Sequence, residues 1–344
     1  MGCIAICLDN KTLTRYPFPA ELVNQRMREV LTCNHNFIEE IINDLLESQG
    51  KMLRPRLVFL AASLYPHDPV MVTDVAVAIE LVHLASLIHD DVIDQAQLRR
   101  GRESLNSRWG NQASVLTGDY LFASAFNLVN RHNQKEILDG LTSTIKTMCA
   151  GEIKQMSLAY NLDISEDEYI EKTHGKTACL FALCCKVGGL ASSMPASGIK
   201  ALEQFGLCLG YAYQIIDDLL DFLSESSLLG KPCGSDLLEG NITLPVIYAL
   251  KDPHYGYQLK NHLQTKPLDS QGIMEIVQIL KKSGGIEYSL NLSRRFLARG
   301  IAGLNELPAT PARKEIIDMA AYLLDDYYKS LSSYNTMEAK GASS

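Results

Sequence analysis

Runs of positive charge are missing from this 344-residue chain, whose 32 Lys and Arg against 40 Asp and Glu leave a formal net charge of −8. Without a basic stripe there is nothing to follow a phosphate backbone, which argues against a nucleic-acid partner. An anionic ligand must then be gripped locally, by metal or by a few placed cations. The nine cysteines contain no Cys-x-x-Cys and no histidine pair at zinc spacing, so neither a zinc module nor a disulfide scaffold is expected. Cys149, Cys179, Cys184, Cys185 and Cys208 fall in apolar segments and read as reduced core residues of a cytoplasmic protein. No uninterrupted apolar run reaches the ~18 residues of a membrane span, and no charged n-region followed by an apolar stretch opens the chain. Met1-Gly2-Cys3 matches the start of a myristoylation motif, but Ile6 stands where that motif needs Ser or Thr. Both membrane readings are set aside. Strand-like alternation is also nearly absent, which leaves an all-α bundle as the expected architecture.

What is present is helical periodicity. Apolar residues spaced by three and four run through 22–31 and 37–46, and Gly50-Lys51-Met52-Leu53-Arg54-Pro55 then opens a third helix with its body at Leu57–Leu64. The segment Val70–Ile93 is interrupted only by Asp74, Glu80, His83, Ser86 and His89 before its acidic end. A helix apolar nearly all round belongs at the centre of a bundle. Gln95–Gly110 is polar and reads as a loop. Helices are expected over Ala113–Leu128, Lys135–Leu158, Ser165–Leu190 and Lys200–Leu223, then over Leu244–Leu250, Gln271–Lys282, Glu287–Asn305 and Ala312–Ser330. Ser224–Gly240 lacks a pattern and reads as a lid. With no linker or composition break, the chain divides into an N-terminal extension at 1–18, one helical domain at 19–334 and a polar tail at 335–344.

The chemistry is concentrated in two copies of one motif, Asp90-Asp91-Val92-Ile93-Asp94 and Asp217-Asp218-Leu219-Leu220-Asp221. Each ends a long apolar run. On a helix, positions i and i+4 share a face and i+1 is turned by about 100°, so Asp90 and Asp94 flank one site while Asp91 reaches in from the side. Two such fans facing each other are too many like charges to leave uncompensated, and a divalent cation cluster is the remedy. Oxygen ligands without His or Cys favour Mg²⁺, which shares carboxylates with waters and substrate phosphates. A di-iron bundle needs two inward Glu-x-x-His pairs, and only Glu80-x-x-His83 has that form. Cations for a phosphorylated substrate stand near the motifs: Lys51 and Arg54, Arg99 and Arg100, and Lys176 beside Thr177 in an otherwise apolar helix. His83, two turns before Asp90, is read either as a satisfied core histidine or as a second phosphate contact.

Over about Ala20 to Lys329 the chain resembles the trans-prenyl diphosphate synthases, or polyprenyl synthetases. The resemblance is carried by Gly50-Lys51-x-x-Arg54-Pro55, by His89-Asp90-Asp91-x-x-Asp94 with Arg99-Arg100-Gly101, and by Gly118-Asp119-Tyr120-Leu121. Gly175-Lys176-Thr177, Tyr213-Gln214-Ile215-Ile216-Asp217-Asp218-x-x-Asp221, Gly230-Lys231 and Thr243-Leu244-Pro245 continue it in the family's order. It implies an isoprenoid-synthase helix bundle with a central cavity, and head-to-tail condensation of isopentenyl diphosphate onto an allylic diphosphate with release of diphosphate. It further implies that Asp90, Asp91, Asp94, Asp217, Asp218 and Asp221 hold Mg²⁺ on the allylic diphosphate. Arg99, Lys176, Thr177, Gln214 and Lys231 would line that site, while Lys51, Arg54, His83 and Arg100 would bind isopentenyl diphosphate.

The growing tail must then run from the metals along the bundle. One turn before Asp90 stand Ala85 and Ser86, both small, where an aromatic would form a floor. A helix of about 20 residues spans ~30 Å, room for about six or seven isoprene units and a product of about C30–C40. Phe122 or Phe126 is the expected deeper floor. Asn241 stands where many members of the family have a Lys, and Lys329 near a frequent Arg. In its Gly240-Asn241 form the chain looks like the catalytic component of bacterial two-component hexaprenyl or heptaprenyl diphosphate synthases. A homodimer, or a heterodimer with a small regulatory subunit, follows from that likeness, with the product passed to a membrane as a quinone side chain. The alternatives are a short-chain farnesyl or geranylgeranyl diphosphate synthase and a non-catalytic subunit of the same fold. A terpene cyclase would replace the second triad with an Asn/Asp-x-x-Ser/Thr-x-x-x-Glu pattern, against Asp221 and Gln214 here.

Overall fold

The computed structural model describes residues 18–47, 50–99, 101–223, 233–264 and 269–324. The chain opens with α1 (Ala20–Leu31) and α2 (Asn36–Glu47), followed by α3 (Leu53–Ala62) and α4 (Pro69–Ile93). Asp68 caps α4 by accepting from the Val70 amide at 2.9 Å, and Pro69 takes the first turn, where a missing N–H costs nothing. Among the described helices, α4 alone is long and apolar enough to cross a membrane, but 89% of that stretch is buried inside the protein. The expectation of no span-length segment therefore needs correcting. Asp74, Glu80 and His83 break the uninterrupted run, yet the mean hydropathy stays at 1.8, and the helix is the bundle's centre.

The stretch expected as one loop after α4 contains a two-residue hairpin, β1 (Leu98–Arg99) with β2 (Arg102–Glu103), and a short helix, α5 (Leu105–Trp109). Then come α6 (Asn111–Asn130), α7 (Lys135–Leu158) and α8 (Glu166–Thr173), the last opened by a capping box between Ser165 and Glu168. The helix expected over Ser165–Leu190 is broken by a π-helical turn, His174–Ala178, before α9 (Cys179–Leu190). The chain continues through α10 (Ala196–Leu223), α11 (Ser235–Leu238), α12 (Leu244–Leu250), α13 (Tyr255–Gln264), α14 (Ser270–Lys282) and α15 (Gly285–Gly303), with a last helix over 311–324. α13 has no counterpart among the sequence expectations, because its polar sequence lacks a continuous apolar stripe. Most of the expected lid, both chain ends and the C-terminal part of the last expected helix lie outside the described residues.

Helix directions follow from the contacts. His132, just past α6, bonds Asp74 near the start of α4 at 2.7 Å, while His89 near the end of α4 meets Val115 O at 3.2 Å, so α4 and α6 are antiparallel. α9 and α10 are antiparallel as well, with Lys186 bonding Glu203 at 3.0 Å and Gly210 against Ala178. α3 and α9 run the same way, since Arg54 lies over Phe181 and Val58 O over Gly188. The structure is all-α apart from the hairpin, as expected.

Candidate active site

α4 turns one face into a cavity of about 230 Å³, contributing His83, Ser86, Leu87, Asp90 and Ile93. These positions recur at three and four, so one stripe of the helix carries both a carboxylate and a hydrocarbon wall. Phe122, Ile145, Met148 and Leu180 extend the apolar wall, and Arg54, Glu152, Lys176 and Thr177 add the polar part. Ser86 faces this space, one turn from Asp90. Ala85 is fully buried in the core and is not among the described lining residues, and neither is Phe126. The small-residue wall therefore rests on Ser86, because Ala85 is rotated by about 100° from it.

The first triad is divided between two spaces. Asp90 lines the cavity, and burial together with the neighbouring Glu152 pushes its carboxyl up to about 6. Asp91 is turned to a separate groove with Arg99, Asp44 and Arg102. There Arg99 holds it bidentately, Nε and Nη2 each donating to one carboxylate oxygen at 2.6 Å. Asp94 caps the end of α4, its amide donating to Asp90 O at 2.8 Å. Arg99 thus meets Asp91 rather than the cavity.

The second triad is more deeply set. Asp218 accepts from Gln214 Nε2 at 2.7 Å and from the Tyr169 hydroxyl at 2.7 Å, and Thr177 Oγ1 donates to Gln214 Oε1 at 2.5 Å. Lys176 and Thr177 owe their positions to the π-helical turn, which adds a residue to the helix and turns both side chains inward. Gly151 of α7 and Gly175 make the turn possible. A Cβ on Gly175 would lie 2.8 Å from the Gly151 Cα, so the two backbones touch. Asp217 keeps a buried Oδ1 with no hydrogen-bond partner, and burial and the adjacent Asp218 push its carboxyl well above the ordinary range. Asp221 accepts from the Ser235 amide at 3.2 Å, the Ser235 hydroxyl at 2.8 Å and the Asp236 amide at 3.1 Å. Its carboxylate therefore anchors the turn at α11, and burial with the nearby Asp236 lifts it to about 7.

Lys176 is half-buried and acts electrostatically on Asp90, Asp217 and Asp218 together, so it stands between the two acidic clusters. Arg54 and His83 meet at 2.9 Å on the same cavity wall, and Lys51 precedes Met52, whose φ of 49° makes the sharp entry to α3. Arg100 and Lys231 lie outside the described residues. Among the described residues no three His, Cys, Asp or Glu side chains are gathered into a ready-made ion site. The donors are nevertheless hard oxygens with one unsatisfied buried atom at Asp217. That suits a cation which completes its shell with substrate oxygens and water.

The polyprenyl synthetase family model matches residues 35–280, nearly three quarters of the chain, from α2 to the last turn of α14. The chain belongs to the polyprenyl synthetase family. It is accordingly an enzyme of the prenyltransferase class. The heptaprenyl diphosphate synthase component 2 of Bacillus subtilis (strain 168) is 37% identical over 303 residues, 88% of this chain and 86% of that protein. The octaprenyl diphosphate synthase of Escherichia coli (strain K12) is 30% identical over 87% of this chain and 93% of that protein. Among solved structures, a decaprenyl diphosphate synthase from Rhodobacter capsulatus superposes with a TM-score of 0.84 at 33% identity, covering 90% of this chain and 96% of that one. These polyprenyl synthetases differ in product length.

Several residues of the site carried no sequence signal. Glu152 lies on the polar helix α7, where another glutamate stands out in no pattern. Tyr169 and Lys172 precede the π-helical turn, which shifts them off the helical period read through 165–190. The polar pair Lys172 and Lys176 in one run was the available clue.

Proposed function

We propose that the chain condenses isopentenyl diphosphate with an allylic diphosphate to give a long-chain all-trans polyprenyl diphosphate, releasing diphosphate. The observation that carries this is the cavity itself, with Asp90, Lys176 and Thr177 beside an apolar wall built from Leu87, Phe122, Ile145, Met148 and Leu180. Asp90, Asp94, Asp217 and Asp218 would hold Mg²⁺, which when bound supplies the charge that stabilises a departing diphosphate, while Asp91, with both oxygens on Arg99 in the separate groove, would support that set rather than join it. Asp221 would serve that set by fixing the turn at α11. Solved relatives from Caulobacter crescentus and Corynebacterium glutamicum contain calcium and isoprenyl diphosphate, which supports a divalent cation at this place.

The chain's own residues cover the remaining steps. Lys176 sits between the acidic clusters and neutralises phosphate oxygens as the allylic C–O bond breaks. The Thr177 hydroxyl and Gln214 carbonyl present their oxygen dipoles toward the developing cation, and the apolar wall keeps water from it. Arg54 and His83, with Lys51 and the undescribed Arg100, orient isopentenyl diphosphate for attack. No protein nucleophile is required, and the released diphosphate takes the final proton.

A product of about C30–C40 fits the small Ser86 wall and the helix-length estimate, with Phe122 as the first aromatic constriction. The cavity is smaller than the roughly 300–1,000 Å³ of typical ligand sites, so a long tail must continue past its open side. Ile153 and Met156 line that side while remaining 68% and 61% exposed. A second chain laid there would close it, and relatives named component 2 support a small regulatory partner, with a homodimer as the other arrangement. The seven described cysteines are all free, which supports a reducing, cytoplasmic setting, with delivery of the product to a membrane for quinone synthesis.

Incubation with farnesyl diphosphate, labelled isopentenyl diphosphate and Mg²⁺, with and without a candidate small subunit, followed by product sizing, tests the proposal. A ladder ending near C30–C40 is expected by the helix-length estimate. A hydrocarbon product would indicate a cyclase instead, and no turnover in either case a regulatory subunit.

A further inference from the structure

Just past the end of α7 stands a residue held in a costly backbone conformation at an exposed place. Tyr160 is 51% exposed and has φ of 61°, in the left-handed region that a residue with a side chain keeps only where its surroundings hold it there. What holds it is the turn after α11. The Tyr160 amide donates to Gly240 O at 2.8 Å, and its hydroxyl donates to Leu238 O at 3.1 Å. Its ring lies so close to Gly240 that a Cβ there would stand 2.7 Å away, and Gly240 itself has φ of 83°. Burial does not account for the arrangement, since the ring keeps half its surface in water.

The clasped turn is fastened at its other end to the second triad. Besides the side-chain bonds from Asp221 to Ser235 and Asp236, the Asp221 carbonyl accepts from the Gly234 amide at 2.8 Å. Between these anchors α11 closes on itself, the Leu238 amide donating to Gly234 O and the Gly240 amide to Leu237 O. α11 is therefore a short strut. One end meets the last turns of α10, with Asp217, Asp218 and Asp221, and the other meets the end of α7, whose Glu152, Ile153 and Met156 line the cavity.

We propose that Tyr160 is a positioning residue for the allylic diphosphate: by clasping the 238–240 turn it fixes, through α11 and Asp221, the distance between the second triad and the α7 wall of the cavity. The inference rests on the reading that the acidic clusters grip that diphosphate through a divalent cation. Isopentenyl diphosphate, which Lys51, Arg54 and His83 would hold from α4 and the start of α3, does not depend on the clasp.

The test is calorimetric binding to the full-length protein, of farnesyl diphosphate with Mg²⁺ and, separately, of isopentenyl diphosphate, with melting temperatures recorded alongside. Tyr160→Gly suits the left-handed backbone while removing ring and hydroxyl. It should bind farnesyl diphosphate on the order of tenfold more weakly and isopentenyl diphosphate as wild type does. Tyr160→Phe, which loses only the bond to Leu238 O, should show the same split at about threefold, and it decides the matter if Tyr160→Gly does not fold. Variants that melt lower yet bind both ligands like wild type, or that weaken both ligands alike, would make the clasp a plain fold contact and overturn the inference. Wild-type protein that binds neither diphosphate would overturn the reading of the site, and the inference with it. Wild-type binding of both that no variant alters overturns the inference alone.

Discussion

At the scale of single residues the site is a relay of buried polar contacts, Thr177 to Gln214 to Asp218 to Tyr169. Each group has its partner, so removing one strands the next. Thr177→Val leaves the Gln214 carbonyl without its donor and should cost about 1–3 kcal/mol of stability. The measurable outcomes are a lower melting temperature and a fall in kcat of on the order of tenfold. Glu152 acts at longer range. Its charge is the largest influence after burial that raises Asp90, so Glu152→Gln should move the acid limb of the kcat/KM profile to lower pH. An unmoved limb would show that Glu152 does not set the Asp90 carboxyl.

Elements decide which of these residues meet. α4 turns Ser86 and Leu87 to the cavity and Ala85 into the core, so Ser86 and Ala85 have different roles although both are small. Ser86→Tyr should shorten the product by one or more isoprene units, read by chromatography of the hydrolysed alcohols, whereas Ala85→Tyr crowds the core and should lower the melting temperature instead. Phe122→Ala should lengthen the product. The π-helical turn depends on Gly151 and Gly175 in backbone contact. Gly175→Ala places a methyl 2.8 Å from the Gly151 Cα, and separating the helices should cost about 1–3 kcal/mol and displace Lys176. Much of this level was legible in advance. Lys135–Leu158 and Leu244–Leu250 have the expected bounds, because strong periodicity ends there in plain breaks. The π-helical turn was not legible, since its cause is a glycine on another helix, and α13 was not, because its burial comes from neighbours rather than from an apolar stripe of its own.

For the molecule as a whole, the acidic centre opposes folding until a cation is bound. Asp90, Asp217 and Asp221 all have carboxyls raised by burial and neighbouring charge, so the folded protein retains protons that the unfolded chain releases. Their stabilising contribution is complete below the ordinary carboxylate value of about 4. It is lost as pH rises through about 6 for Asp90 and about 7 for Asp221. Metal-free protein should accordingly melt at a higher temperature at pH 5 than at pH 8, and saturating Mg²⁺ should narrow the gap by binding the ionised form. Calorimetry with chelator and with Mg²⁺ checks this, and a metal-free protein more stable at pH 8 would contradict it.

The amino-acid order by itself determined the all-α class, the central place of Val70–Ile93, the two acidic motifs and the cations beside them, because periodicity and motif spacing are local properties of the chain. Only the tertiary structure decided that Asp91 is paired with Arg99, that Asp221 anchors the α11 turn, that Ser86 rather than Ala85 faces the cavity, and that Glu152, Tyr169 and Lys172 join the site. Each of those outcomes depends on which helix packs against which face, and that is settled by contacts between residues tens of positions apart.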